Sequence, residues 1–123
     1  MKKQTIPNPG STHPYPKAVK AGNWVFVTIA SGAGPSFEEQ FTDIFERTKT
    51  TLESLGTSIG NIVQLNVFFV NLERDFDKAG EIWVKYLSLD NWPVGAWVGI
   101  KELVPSDPPH LVEMCCTAII PDE

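Results

Sequence analysis

The run "NIVQLNVFFVN" at residues 61–71 constrains the fold more than any other stretch of this chain. Side chains alternate between the faces of a strand. Val63, Leu65, Val67 and Phe69 therefore form one apolar face. Ile62, Phe68 and Val70 make the other largely apolar too, interrupted by Gln64 and Asn66. A strand apolar on both sides has to be covered on both sides.

The rest of the chain offers little with which to do that. Its 123 residues make one domain, residues 1–123, with room for a real core. Residues 1–16 carry four prolines and read as an extended, irregular opening segment. "NWVFVTIA" (23–30) is a β-branched and aromatic strand bounded by Gly22 and the "SGAGPS" turn. Ser36 and Glu39 then spell a capping box, and Phe37, Phe41, Ile44, Phe45, Leu52 and Leu55 recur at helical spacing until Gly56. A second helix is predicted from about Asp75, with Phe76, Ala79, Trp83 and Tyr86 on one stripe.

Two more strands follow. In "NWPVGAWVGI" (91–100), Val94, Ala96, Val98 and Ile100 share one face, and Gly95, Trp97 and Gly99 the other. Glycine inside a strand marks a close approach to the backbone, so the room beside Trp97 is expected to hold a ligand or part of a neighbouring subunit. The last strand is "HLVEMCCTAII" (110–120), after a proline-rich "VPSDPP" turn. The order strand, helix, strand, helix, strand, strand predicts an α+β two-layer domain with both helices on one face of a mixed sheet. The uncovered face is then expected to be buried against another subunit. The alternative is that some apolar residues simply meet solvent.

Charge and composition exclude several roles. A net charge of −5, with no basic run beyond Lys2–Lys3, argues against nucleic acid as a partner. No apolar stretch approaches the roughly 20 residues of a membrane span, so no membrane partner is expected. "MKKQTIPNPG" lacks the apolar core of a secretion signal, which makes a cytoplasmic location the expectation. Cys115 and Cys116 are adjacent, and with only His13 and His110 no metal-ligand spacing appears; no metal is expected.

The stretch "HPYPKAVKAGNWVFVT" (13–28) resembles the opening of the Rid (YjgF/UK114) family of imine and enamine deaminases, whose pattern runs G-P-Y-S-Q-A-V-K-A-G before a strand ending Ser-Gly-Gln. Tyr15, Ala18, Val19, Lys20, Ala21 and Gly22 match, and Pro16 replaces the usual serine. Residues 38–76 resemble the family's first helix, central strand and start of the second helix. "WPVGAWVGIKEL" resembles its Pro-Ala-Arg-Ser strand, and "LVEMCCTAI" its closing Val-Glu-Ile-Glu-Ala-Ile-Ala strand. The resemblance implies a chorismate-mutase-like fold, a homotrimer with clefts between neighbouring copies, a small-molecule substrate and hydrolysis without any cofactor.

Carried over by position, it assigns Tyr15 to the pocket and Glu113 to the handling of water. Thr28 and Ile29 stand at the Ser-Gly strand end, where backbone amides complete the pocket. Gly95 falls where an arginine grips the substrate carboxylate, so that charge is absent from this chain. Trp97 is expected on the same cleft face, available to stack on a flat substrate. Lys101 keeps the parity of Gly95 and Trp97, and it or His110 could supply a substitute charge. Cys115 shares the face of Glu113 and is expected to line the cleft, with Cys116 turned to the helices. Each has a plainer alternative: Glu113 in a salt bridge across a subunit interface, Tyr15 as an interface tyrosine, Trp97 in the core. The reading that follows is a divergent deaminase acting on an enamine or imine, conjugated ones included. A metabolite-binding protein without catalysis is the alternative, and a ribonuclease a weaker one.

Overall fold

The structure is a computed structural model that describes residues 2–9, 15–29 and 32–122. His13, Ala30 and Ser31, which figured in the sequence reading, lie outside the described residues. Among the described residues six strands form one sheet: β1 (Lys3–Ile6), β2 (Ala18–Ala21), β3 (Trp24–Ile29), β4 (Ile62–Phe69), β5 (Trp97–Gly99) and β6 (Val112–Ile119). Their order across the sheet is β1-β2-β3-β6-β4-β5, antiparallel throughout except for the parallel β4–β5 pair. Helices α1 (Phe37–Ser54) and α2 (Leu72–Tyr86) are the two long helices.

Two strands escaped the sequence. β1 lies inside the segment expected to be irregular, and β2 pairs it to β3 through the turn at Gly22. Lys3, Gln4 and Thr5 give β1 no apolar signal, as suits a short strand at a sheet edge.

The capping box forms as predicted. Ser36 Oγ accepts from the Glu39 amide at 3.1 Å, and the Glu39 carboxylate accepts from the Ser36 amide at 3.1 Å. Phe37, Phe41, Ile44, Phe45 and Leu52 of α1 are buried on the sheet. α2 begins three residues earlier than predicted, because Asn71 caps it by accepting from the Arg74 amide at 3.1 Å. Its buried stripe is Asp75, Ala79, Ile82 and Trp83, while Phe76 is 55 % exposed. Asp75 is held by its neighbour Arg74, at 2.9 Å to each carboxylate oxygen.

β4 corrects the predicted alternation. Its register against β6 shifts between Ile62 and Gln64, a bulge that inserts one residue. Ile62 consequently joins Leu65, Val67 and Phe69 in the core, and Val63 is exposed.

β5 corrects it further. Trp97 pairs with the buried Val67, on the side covered by the helices. Its indole packs on Phe69 (5.4 Å between ring centroids), Trp83 (5.3 Å) and Phe76 (5.6 Å). Trp97 therefore belongs to the core beneath α2 and does not face the cleft. A side chain at Gly99 would stand 3.6 Å from Leu72 Cβ, again on the α2 side. The predicted room beside Trp97 is filled by the protein's own second helix. Trp97→Ala is expected to cost about 3 kcal/mol in urea unfolding, as large-to-small core changes do, while ligand binding on the opposite face is unchanged.

Candidate active site

With both helices on one side, the other side of the sheet carries no covering layer among the described residues. Alternation along β6 turns Val112, Met114, Cys116 and Ala118 inward, and Glu113, Cys115 and Thr117 outward. The sheet register sets the outward residues in rows. Thr28 of β3 lies opposite Cys115, which lies opposite Asn66 of β4. Phe26, Thr117 and Gln64 form the next row, and Glu113 faces Phe68. Trp24 and Phe26 are 42 % and 44 % exposed on this face. The face left open by the helices is mixed and not apolar throughout: Thr28, Gln64, Asn66, Glu113 and Thr117 stand among Trp24, Phe26 and Phe68.

A cavity of about 360 Å³ opens on that face. Tyr15, Lys17, Val19, Phe26, Thr28, Val104 and Glu113 are among the residues that line it. Three of the residues singled out in the sequence, Tyr15, Thr28 and Glu113, are thus brought together although 98 positions separate the first from the last. Burial without a neighbouring cation pushes the Glu113 carboxyl above its ordinary value of 4.5.

Beside it, a groove lined by Phe26, Thr28, Gln64, Asn66, Cys115 and Thr117 holds Cys115. Burial raises the Cys115 thiol, and so does the nearby Glu113 charge, against a lowering by the Asn66 side chain. Cys116 points the other way, and burial pushes its thiol up to about 12. Neither is activated as a nucleophile. Thr28 also borders a third cavity, of about 440 Å³, with Tyr15, Lys17, Ile29, Glu46 and Arg47 in its wall. The Ile29 side chain itself is buried with the core.

Gly95, Trp97 and Lys101 do not join this assembly. Lys101 is exposed on the bend after β5 and lines none of the three cavities. At Gly95 a Cβ would run into the carbonyl of Leu65, and φ is +153°. The empty-looking position is occupied by the backbone of β4, so it cannot hold a ligand. No described group of three His, Cys, Asp or Glu side chains could hold a metal ion, and no helix among the described residues is long and apolar enough to cross a membrane.

Two residues were missed. Gln40, 1 % exposed, donates to the carbonyls of Gly34 and Pro109 (3.0 Å each) and accepts from the Leu111 amide at 2.8 Å. It ties α1 to the chain entering β6 and so positions Glu113. Nothing in the helical pattern distinguishes it from a solvated glutamine. Lys17 lines the Glu113 cavity from the other side; its signal was available, since it stands at the glutamine of the G-P-Y-S-Q-A pattern.

Fold and site define a two-layer α+β domain whose uncovered sheet face presents a half-buried carboxylate in a small cavity. A family model described as Endoribonuclease L-PSP matches residues 5–120, and the chain belongs to that family, which is also the YjgF/UK114/RidA family. It is 30% identical over 109 residues to a RutC family protein of Pyrococcus abyssi, covering 82% of each chain. A solved RidA from an Antarctic Psychrobacter superposes with a TM-score of 0.84 at 29% identity, covering 95% of this chain and 99% of that one. A YjgF protein family member from Neisseria meningitidis shares the fold, with a TM-score of 0.86 at 21% identity over 100% of this chain and 98% of that one.

Proposed function

We propose that this protein hydrolyses the C–N bond of a small imine or enamine, releasing ammonia, in clefts between the copies of a homotrimer. The reading is carried by the cavity that gathers Glu113, Tyr15 and Thr28 on the open sheet face. Family membership supports it. An enamine first tautomerises to the imine. Water adds to the imine carbon as its proton passes through Glu113 to the nitrogen, giving a carbinolamine. Collapse forms the C=O bond and expels ammonia, so one water is consumed for each ammonia released. A half-buried carboxyl of raised pKa suits this exchange, because both of its protonation states are accessible nearer to neutral pH.

Cleft and trimer go together. Trp24 and Phe26 are too large and too exposed to be left facing water as a pair, and a second copy would cover them. Light scattering should give a mass three times that of the chain, and Phe26→Lys should reduce it to that of one chain. A monomeric wild-type protein would contradict the assembly.

The activity is tested by ammonia release from freshly generated 2-imino acids and from an aminomuconate-type enamine. Acceleration that disappears in Glu113→Gln is expected. Binding without turnover would favour a metabolite-binding protein, the reading that the glycine at position 95 supports. The net charge of −5 disfavours a polyphosphate substrate, and with it the ribonuclease activity in the family model's description.

A further inference from the structure

We propose that Lys17 is the residue that holds the anionic group of the substrate in the Glu113 cavity. The assignment rests on the reading above only for the reaction; the anion site itself stands on the geometry of the cavity.

Lys17 continues the line of β2. Its amide donates to the Ile6 carbonyl at 2.9 Å, extending the β1–β2 ladder by one residue. Ala18 is buried and pairs with Val27, so Lys17, like Val19, is turned to the open face, beside Thr28. Lys17 and Tyr15 both line the cavity that holds Glu113, and both also line the neighbouring cavity beyond Thr28. Lys17 thus sits where the two spaces meet.

Its charge is unspent. Among the described residues no carboxylate lies within ion-pair distance of the Lys17 ammonium, and Lys17 is the one cationic side chain among the described residues that line this cavity. Nor does Lys17 act as a counter-ion to Glu113, whose carboxyl is raised by burial with no opposing cation. A lysine and a carboxyl that line one cavity without forming an ion pair leave space for a ligand between them. β2 and β6 are two strand spacings apart, about 10 Å at 4.7–4.9 Å each. That gap suits a small molecule of a few heavy atoms. Such a ligand would present its anionic end to Lys17 and its reacting carbon to Glu113.

The position also explains how the chain manages with glycine at 95. Gly95 lies against β4, on the far side of β6 from β2. The substrate is therefore anchored from the opposite side of Glu113 to that implied by the family's arginine. An ammonium is a compact point charge without the planar fork of arginine. Selection should accordingly be for charge more than for a two-point carboxylate geometry.

Calorimetric titration with 2-oxobutanoate and with its uncharged methyl ester tests this directly. The wild-type protein should bind the acid at least about tenfold more tightly than the ester, the range of one charge-assisted hydrogen bond. Lys17→Gln should abolish that preference and Lys17→Arg should retain it. Circular dichroism of each variant checks that the sheet is intact. Wild-type protein that does not prefer the acid, or Lys17→Gln that prefers it as strongly as wild type, overturns the assignment. Ammonia release separates the two readings: turnover unchanged in Lys17→Gln removes Lys17 and leaves the deaminase, whereas a wild-type acid preference that is lost in Lys17→Gln, with no turnover by the wild-type protein, removes the deaminase and leaves Lys17.

Discussion

Restoring arginine at position 95 is expected to unfold the protein, not to improve it. The backbone around Gly95 is pinned to β4 on both sides. Leu65 N–H donates to the Val94 carbonyl at 2.8 Å, and Val67 N–H to the Ala96 carbonyl at 3.0 Å. Ala96 N–H is fixed in turn by Asn66 Oδ1 at 2.9 Å. Between these bonds, a Cβ at residue 95 would collide with the Leu65 carbonyl, and the φ of +153° is one that side chains rarely adopt. The obstacle is backbone, so it cannot be relieved by a rotamer change. Even Gly95→Ala should cost about 3 kcal/mol or more, at the severe end for one substitution. Gly95→Arg should leave no cooperative transition in urea, followed by circular dichroism. A Gly95→Ala protein with the midpoint of wild type would show that β5 is free to move off β4.

Glu113→Gln carries the second large effect. Removing a general acid–base typically lowers the rate by about 10²–10⁴-fold, roughly 3–5 kcal/mol of transition-state stabilisation. The loss should appear in kcat with little change in the binding of 2-oxobutanoate. Stability should move the other way. In the folded chain the Glu113 carboxyl holds its proton to a higher pH than in the unfolded chain, where its ordinary value is 4.5. Below that value both states are protonated and the group costs nothing. As pH rises through 4.5 and then through the raised folded value, ionisation favours the unfolded state, and stability is lost. Glutamine removes this loss. Glu113→Gln should therefore match wild type at pH 4 and exceed it in urea resistance at pH 7. A variant less stable than wild type at pH 7 would place a cation against Glu113 in the assembled protein.

What could be read from the sequence was what local chemistry decides. Ser36 and Glu39 meet three residues apart, so the start of α1 needed no tertiary information. The alternation in β6 separated Glu113 and Cys115 from Cys116 in the same way. Trp97 was misplaced because parity within a strand says which residues share a face, and only the partner strand says which face is covered. In β5 that partner is Val67. β4 was misread at Val63 because a bulge is a relation between two strands. Lys17 and Glu113 are 96 positions apart and share a cavity only once β2, β3 and β6 are in register.

By itself, then, the sequence determined both long helices and four of the six described strands, the sheet face that two helices cannot cover, and the carboxylate of β6 as the residue to examine. The tertiary structure alone decided that Gly95 is a point of backbone contact, that Trp97 lies in the core, and that Lys17, one residue before β2, lines the cavity of Glu113. Periodicity and caps arise within a few neighbouring residues, while register, bulges and cavities exist only between segments far apart in the chain.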